Sequence, residues 1–170
     1  AISAIALALW DIKGKALGVP VYELVGGASH DRIRLYANGW YTNPGTPEQN
    51  AEEAQKVVDM GYTAIKFDPF GQHNYYKVPL EEAQLAQDRV AAVRRAVGPH
   101  VDILIEAHAK FDVMNAIQLG KRLEEYRPLW YEEPVSEENI SELLEVRRKV
   151  DIPIATGERL YSKFPFAQIV

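Results

Sequence analysis

The chain has no cysteine, so disulfides and thiol chemistry are excluded. That absence also fits a cytoplasmic protein. No apolar run reaches the roughly 18–20 residues needed to span a membrane. The opening stretch AISAIALALW is apolar but too short, and it lacks the basic flank of a signal peptide. There is no long basic run and the net charge is −5, which argues against nucleic acid as a partner but leaves a small anionic substrate open. Neither GxGxxG nor GxxxxGK[ST] occurs, so a nucleotide-binding site has no support. What is present is a globular composition: 47% hydrophobic residues against 25% charged, over 170 residues, exclude a disordered chain and allow one sizeable core.

Residues 1–18 read as a helix, because Ile2, Ile5, Leu9, Ile12 and Ala16 recur at spacings of three and four. The pattern opens without a cap, so Ala1 is expected to be an interior position of a longer protein. Gly18 and Pro20 stop the helix. Strands are predicted at Ile33–Asn38, Tyr62–Asp68, Asp102–Ala107, LWYEE ending at Glu133, and IPIATG ending at Gly157. A helical pattern follows each. Thr46-Pro47-Glu48-Gln49 is a capping box with proline at the first helical position, and Gly61 is the expected left-handed terminator. Asp112 is predicted to cap a later helix, and Ser136 or Asn139 the one after it. The loop Phe70–Val78 is longer than a connector needs, which is common in loops that carry function.

Right-handed strand–helix–strand crossovers make the strands parallel. Two α/β architectures fit, a doubly wound sheet and part of a TIM-type (β/α)8 barrel. Acidic residues at three successive strand ends favour the barrel, where every strand end faces one mouth. A closed barrel needs about 250 residues. The expectation is therefore a partial barrel: residues 1–30 as a helix and linker leading in, and residues 31–170 as roughly its first five units.

The three acids are Glu106 in DILIEAH, Glu132 in LWYEEP and Glu158 in IPIATGER, each 26 residues after the last (132 − 106 = 158 − 132 = 26). Three hard oxygen ligands converging at strand ends suggest a divalent cation such as magnesium (Mg2+). His108 follows Glu106 by two, which in a strand puts both side chains on one face, where His108 could donate a proton to a departing hydroxyl. Lys66 ends the second strand, where it could neutralise a carboxylate substrate or act as a base, and Asp68 shares its face. An ordinary Lys66–Asp68 ion pair is the alternative. Glu133 and Arg159 flank two of the acids on the opposite face and read as structural. His30, His73 and His100 lie in loops without an assigned catalytic role.

On these residues the chain resembles the enolase superfamily, in its mandelate racemase-like subgroup, over nearly its whole length. WDIKGKALGVPVYELVGG resembles the segment leading into that family's barrel, and WYEEPV and ATGERLYSKFPF resemble its second and third metal-ligand motifs. EAH at Glu106–His108 with GERLYSKF is most similar to acid-sugar dehydratases of the galactonate type. The resemblance implies magnesium held by Glu106, Glu132 and Glu158, with His108 as proton donor. It further implies a small-molecule carboxylate substrate and a homo-oligomer in the full-length protein. A capping domain before the barrel and a His–Asp base on later strands, both outside these residues, are also implied. Two departures stand out. The first ligand is Glu106 where aspartate is common, and Asp68 stands where members with a Lys-x-Lys base have a second lysine. The expected reaction is dehydration of a sugar acid to a 2-keto-3-deoxy acid through an enediolate. The rivals are a racemase or epimerase on the same scaffold and an inactive half-barrel.

Overall fold

The computed structural model describes residues 2–42, 45–71 and 78–169. Two compact units divide the chain between Arg34 and Leu35. The first holds α1 (Ile2–Leu17) and the short α2 (Val21–Leu24). α1 ends where Gly18 turns left-handed, at φ 69°. The apolar stripe predicted along it exists but is not buried: Ile2, Ile5, Leu9 and Ile12 are each more than half exposed. A unit of two short helices is too small to enclose such a face.

The second unit is built on four parallel strands, β1 (Ala64–Phe67), β2 (Asp102–Glu106), β3 (Trp130–Glu132) and β4 (Ile154–Ala155). They lie side by side in chain order. The helix α3 (Pro47–Asp59) precedes β1, and α4 (Leu80–Val97), α5 (Val113–Leu123) and α6 (Ile140–Lys149) connect successive strands. The single-turn 3-10 helix Glu124–Tyr126 extends α5, and α7 (Lys163–Ile169) follows β4. A doubly wound sheet reverses its strand order at a switch point. This sheet advances by one strand each time, as a barrel wall does.

Local chemistry explains the helix boundaries. Thr46 Oγ1 accepts from Gln49 N at 3.2 Å while Gln49 Oε1 accepts from Thr46 N at 2.9 Å, closing the predicted capping box. Asp112 caps α5 by accepting from Asn115 N at 2.8 Å. Asn139 precedes α6 but makes no side-chain cap bond. Within α4 and α5 the buried faces come from Ala83, Ala86, Val90, Val93, Val97, Ala116, Leu119 and Leu123. Leu80 and Met114, apolar residues in the first turns of these helices, are mostly exposed.

The predicted strand Ile33–Asn38 is shorter than expected. Among its described residues it pairs as a one-residue bridge, Ala37 beside Ile65. Leu35 is exposed, and Asn38 Oδ1 takes the Gly39 amide at 2.9 Å, turning the chain away at once. Of the loop Phe70–Val78, residues 72–77, with His73 among them, lie outside the described residues.

Strand alternation sorts the side chains into two layers. Ile65, Phe67, Ile103, Ile105 and Tyr131 join the core against the helices. Lys66, Leu104, Glu106 and Glu132 take the opposite face. The register sets Lys66 beside Leu104 and Glu106 beside Glu132. β1 is buried along its whole length, as parallel strands covered on both faces are. No helix among the described residues is long and apolar enough to cross a membrane.

Candidate active site

Glu106 and Glu132 are the last residues of β2 and β3, and Glu158 lies on the turn three residues past β4. Each offers one carboxylate oxygen, and the three lie within 4.8 Å of one another. Exposure rises along the series: Glu106 is buried, Glu132 half-buried and Glu158 exposed. Gly157, at φ 135°, makes the turn that delivers Glu158, and a Cβ there would meet the Phe166 ring at 3.1 Å.

Lys66 projects from β1 into the same cluster. Its Nζ lies 2.7 Å from Glu106 Oε2 and 2.6 Å from Glu132 Oε1. Burial works against its charge, but the hydrogen bonds to Glu106 and Glu132 outweigh that and raise its pKa above the ordinary lysine value. The other Glu132 oxygen accepts from Trp130 Nε1 at 2.9 Å. Tyr36 packs edge-on against Trp130, with ring centroids 5.7 Å apart. The two carboxylates are thus already arranged to hold a cation between them, and the donor set of hard oxygens suits magnesium.

His108 reaches the mouth by another route than strand alternation. β2 ends at Glu106, and the chain turns through left-handed conformations at His108 and Ala109 (φ 51° and 56°). The His108 amide donates to Glu106 Oε1 at 2.9 Å, and the ring Nδ1 lies 2.8 Å from Asp68 Oδ2. Its side chain remains 46% exposed, open to the mouth, while that of Asp68 is 1% exposed. Asp68 also takes the Phe70 amide at 2.9 Å and pairs with Lys110. The simple Lys66–Asp68 pair considered from sequence is therefore not what forms. Each partners the neighbouring strand or the turn after it. Burial pushes the phenol of Tyr41, beside Asp68, upward.

One member of this cluster, Lys110, carried no sequence signal. It lies in a turn, and its meeting with Asp68 across 42 residues depends on register. Glu133 and Arg159, read as structural from alternation, pair with one another directly behind the acids. His30 lies in the first unit, with its ring Nδ1 3.2 Å from Ser29 Oγ.

Comparison with known proteins gives this geometry a context. Residues 49–170 match the enolase C-terminal domain-like family, and residues 1–26 match the mandelate racemase / muconate lactonizing enzyme N-terminal domain. The D-gluconate dehydratase of Thermoproteus tenax is 49% identical over 162 residues, covering 95% of this chain and 32% of that enzyme. The D-gluconate/D-galactonate dehydratase of Picrophilus torridus is 41% identical over 170 residues, covering 100% of this chain and 43% of that enzyme. The crystal structure of a member of the enolase superfamily from Salmonella Typhimurium aligns with a TM-score of 0.86 at 40% identity, covering 95% of this chain and 46% of its own. The chain spans about a third to under half of the length of the curated relatives it matches.

Proposed function

The chain belongs to the enolase superfamily, and from that premise we propose that the full-length protein is a magnesium-dependent sugar-acid dehydratase. It would convert an aldonate or aldarate to a 2-keto-3-deoxy acid through an enediolate intermediate. The observation that carries this reading is the convergence of Glu106, Glu132 and Glu158, with ligand oxygens within 4.8 Å of one another at neighbouring strand ends. The dehydratase names of the Thermoproteus and Picrophilus relatives support the reaction class.

Glu106, Glu132 and Glu158 would hold the metal ion. When bound there, magnesium supplies positive charge that offsets the substrate carboxylate as the neighbouring carbon loses its proton. Lys66, directed into the same cluster, adds a second positive charge beside that carboxylate. A base outside these residues removes the proton. His108, half exposed and anchored through Nδ1 on Asp68, gives a proton to the hydroxyl on the adjacent carbon, which leaves as water. The enol so formed tautomerises to the 2-keto-3-deoxy acid, and the net change is loss of one water.

A racemase or epimerase needs a base on each face of the substrate carbon. The position that would carry the second lysine holds Asp68, a buried carboxylate taken up by Lys110 and His108, so dehydration is favoured.

The test is to incubate the full-length protein with magnesium and a panel of sugar acids, gluconate and galactonate among them, and follow 2-keto acid formation. His108→Asn, which should keep magnesium binding and lose turnover, runs alongside. Proton exchange next to the carboxylate without 2-keto acid would point to racemisation. Absence of both turnover and magnesium binding would sink the proposal.

A further inference from the structure

Glu158 is the carboxylate of the three with least to hold it. Glu106 and Glu132 are fixed by strand register, whereas Glu158 sits on a turn after a strand of two residues. What lies behind it is an ion pair. The guanidinium of Arg159 pairs with Glu133 and also approaches Glu158 Oε1, at 3.3 Å from Nη1.

Glu133 is built to anchor that guanidinium. It is 0% exposed. Its amide donates to Ala155 O at 2.9 Å, and its carbonyl accepts from Ala109 N at 2.7 Å, so its backbone is stitched to β4 on one side and to the turn carrying His108 on the other. Its φ of 41° is unusual for a residue with a side chain. A carboxylate so deeply buried requires a partner cation. Each member of the pair directly follows one of the acids, Glu133 after Glu132 and Arg159 after Glu158.

We propose that Arg159, seated on the buried carboxylate of Glu133, is a positioning residue that holds Glu158 in the metal-binding triplet. The inference rests on the reading of Glu106, Glu132 and Glu158 as metal ligands. Arg159 acts through two contacts. The pair with Glu133 fixes where the guanidinium sits, and the contact with Glu158 fixes where that carboxylate points.

The test uses the full-length protein, magnesium titration calorimetry and thermal unfolding in chelator. Arg159→Met is expected to weaken magnesium binding about 10- to 100-fold, as loss of an outer partner of a ligand does. It should also lower the melting temperature of the metal-free protein, because Glu133 is left buried without its partner. The double variant Glu133→Gln/Arg159→Met removes that stranded charge. It is expected to recover melting temperature while magnesium binding stays weak. Recovery of both would make the pair merely structural and overturn the inference. So would wild-type affinity in Arg159→Met alongside loss of binding in Glu158→Gln. If Glu158→Gln binds magnesium as the wild type does, the ligand reading itself fails, which separates that failure from failure of the positioning role.

Discussion

Nδ1 of His108 lies 2.8 Å from Oδ2 of Asp68, the same oxygen that Lys110 engages. Asp68 and Lys110 are both nearly enclosed, with side chains 1% and 8% exposed, while His108 is half open. Breaking an enclosed ion pair from one side leaves an uncompensated charge, at about 3 kcal/mol. Asp68→Ala is therefore expected to destabilise the protein by about that much in urea unfolding, and Lys110→Met by a similar amount. The two losses should not add in the double variant, because both report one pair. His108→Asn in the same assay should change stability little, which separates its proposed role in turnover from the packing beneath it. Additive losses in the double variant would contradict the pairing.

Much of this site was legible in the sequence, for a physical reason. Glu106 and Glu132 recur at the offset that also sets the β2–β3 register, so the two stand side by side at one sheet edge, whereas β4 pairs Ala155 with Glu132 and Glu158 reaches the same edge from the turn beyond it. Capping residues such as Thr46 and Asp112 act within four residues of themselves, so their chemistry is visible locally. Other features depend on register. Lys66 reaches Glu106 and Glu132, and not its neighbour Asp68, because the register sets β1 alongside β2 on the face that those acids share. The strand argument for His108 failed, since left-handed residues after Glu106 carry its ring to Asp68 by another route. The strand predicted at Ile33–Asn38 had the right alternation, but Leu35 is exposed and the pairing shrinks to Ala37.

Lys66 and the proposed metal ion share two carboxylates, and that sharing has a measurable consequence. The side chains of Lys66, Glu106 and Glu132 are 7%, 3% and 13% exposed. Lys66→Met takes away the positive charge that offsets both acids, and should cost about 3 kcal/mol in chelator. Saturating magnesium then supplies the missing charge. A ligand that binds the folded state stabilises it by an amount that grows with the logarithm of the ratio of free ligand to its dissociation constant. Magnesium should therefore raise the melting temperature of Lys66→Met by more than that of the wild type. An equal rise in both proteins would mean that the two cations do not share these carboxylates.

Gly120 lies inside α5, where glycine ordinarily weakens a helix by about 1 kcal/mol relative to alanine. Here a Cβ would lie 2.8 and 2.9 Å from the two methyls of Val150 and 3.4 Å from Tyr131 Cε1. Val150 and Tyr131 are themselves buried, so neither has room to retreat. Overpacking of this kind costs about 1–3 kcal/mol, which exceeds the gain in helix propensity. Gly120→Ala should be destabilised in urea unfolding, and Val150→Ala should be better tolerated on the Gly120→Ala background than alone. A Gly120→Ala protein more stable than the wild type would show that propensity wins.

Arg89 crosses from α4 to two loops at the strand ends, and its loss should be felt in both. It is buried, with Nε donating to Gly45 O at 2.7 Å and Nη1 to Pro69 O at 2.8 Å. Gly45 immediately precedes the cap of α3, and Pro69 follows Asp68, so one guanidinium fastens the start of that helix to the segment that supports His108. Arg89→Met deprives both carbonyls of a charged donor, a loss of about 2 kcal/mol. Lysine can serve one carbonyl but lacks the planar fork that serves two, so Arg89→Lys should fall between methionine and the wild type. The expected signature is local as well as global: in Arg89→Met the amide of Phe70, which donates to Asp68, should exchange with deuterium faster than amides of β2, measured by NMR. If Arg89→Met lowered stability while Phe70 kept its wild-type exchange rate relative to β2, Arg89 would stabilise the helix layer without fastening the strand-end loops.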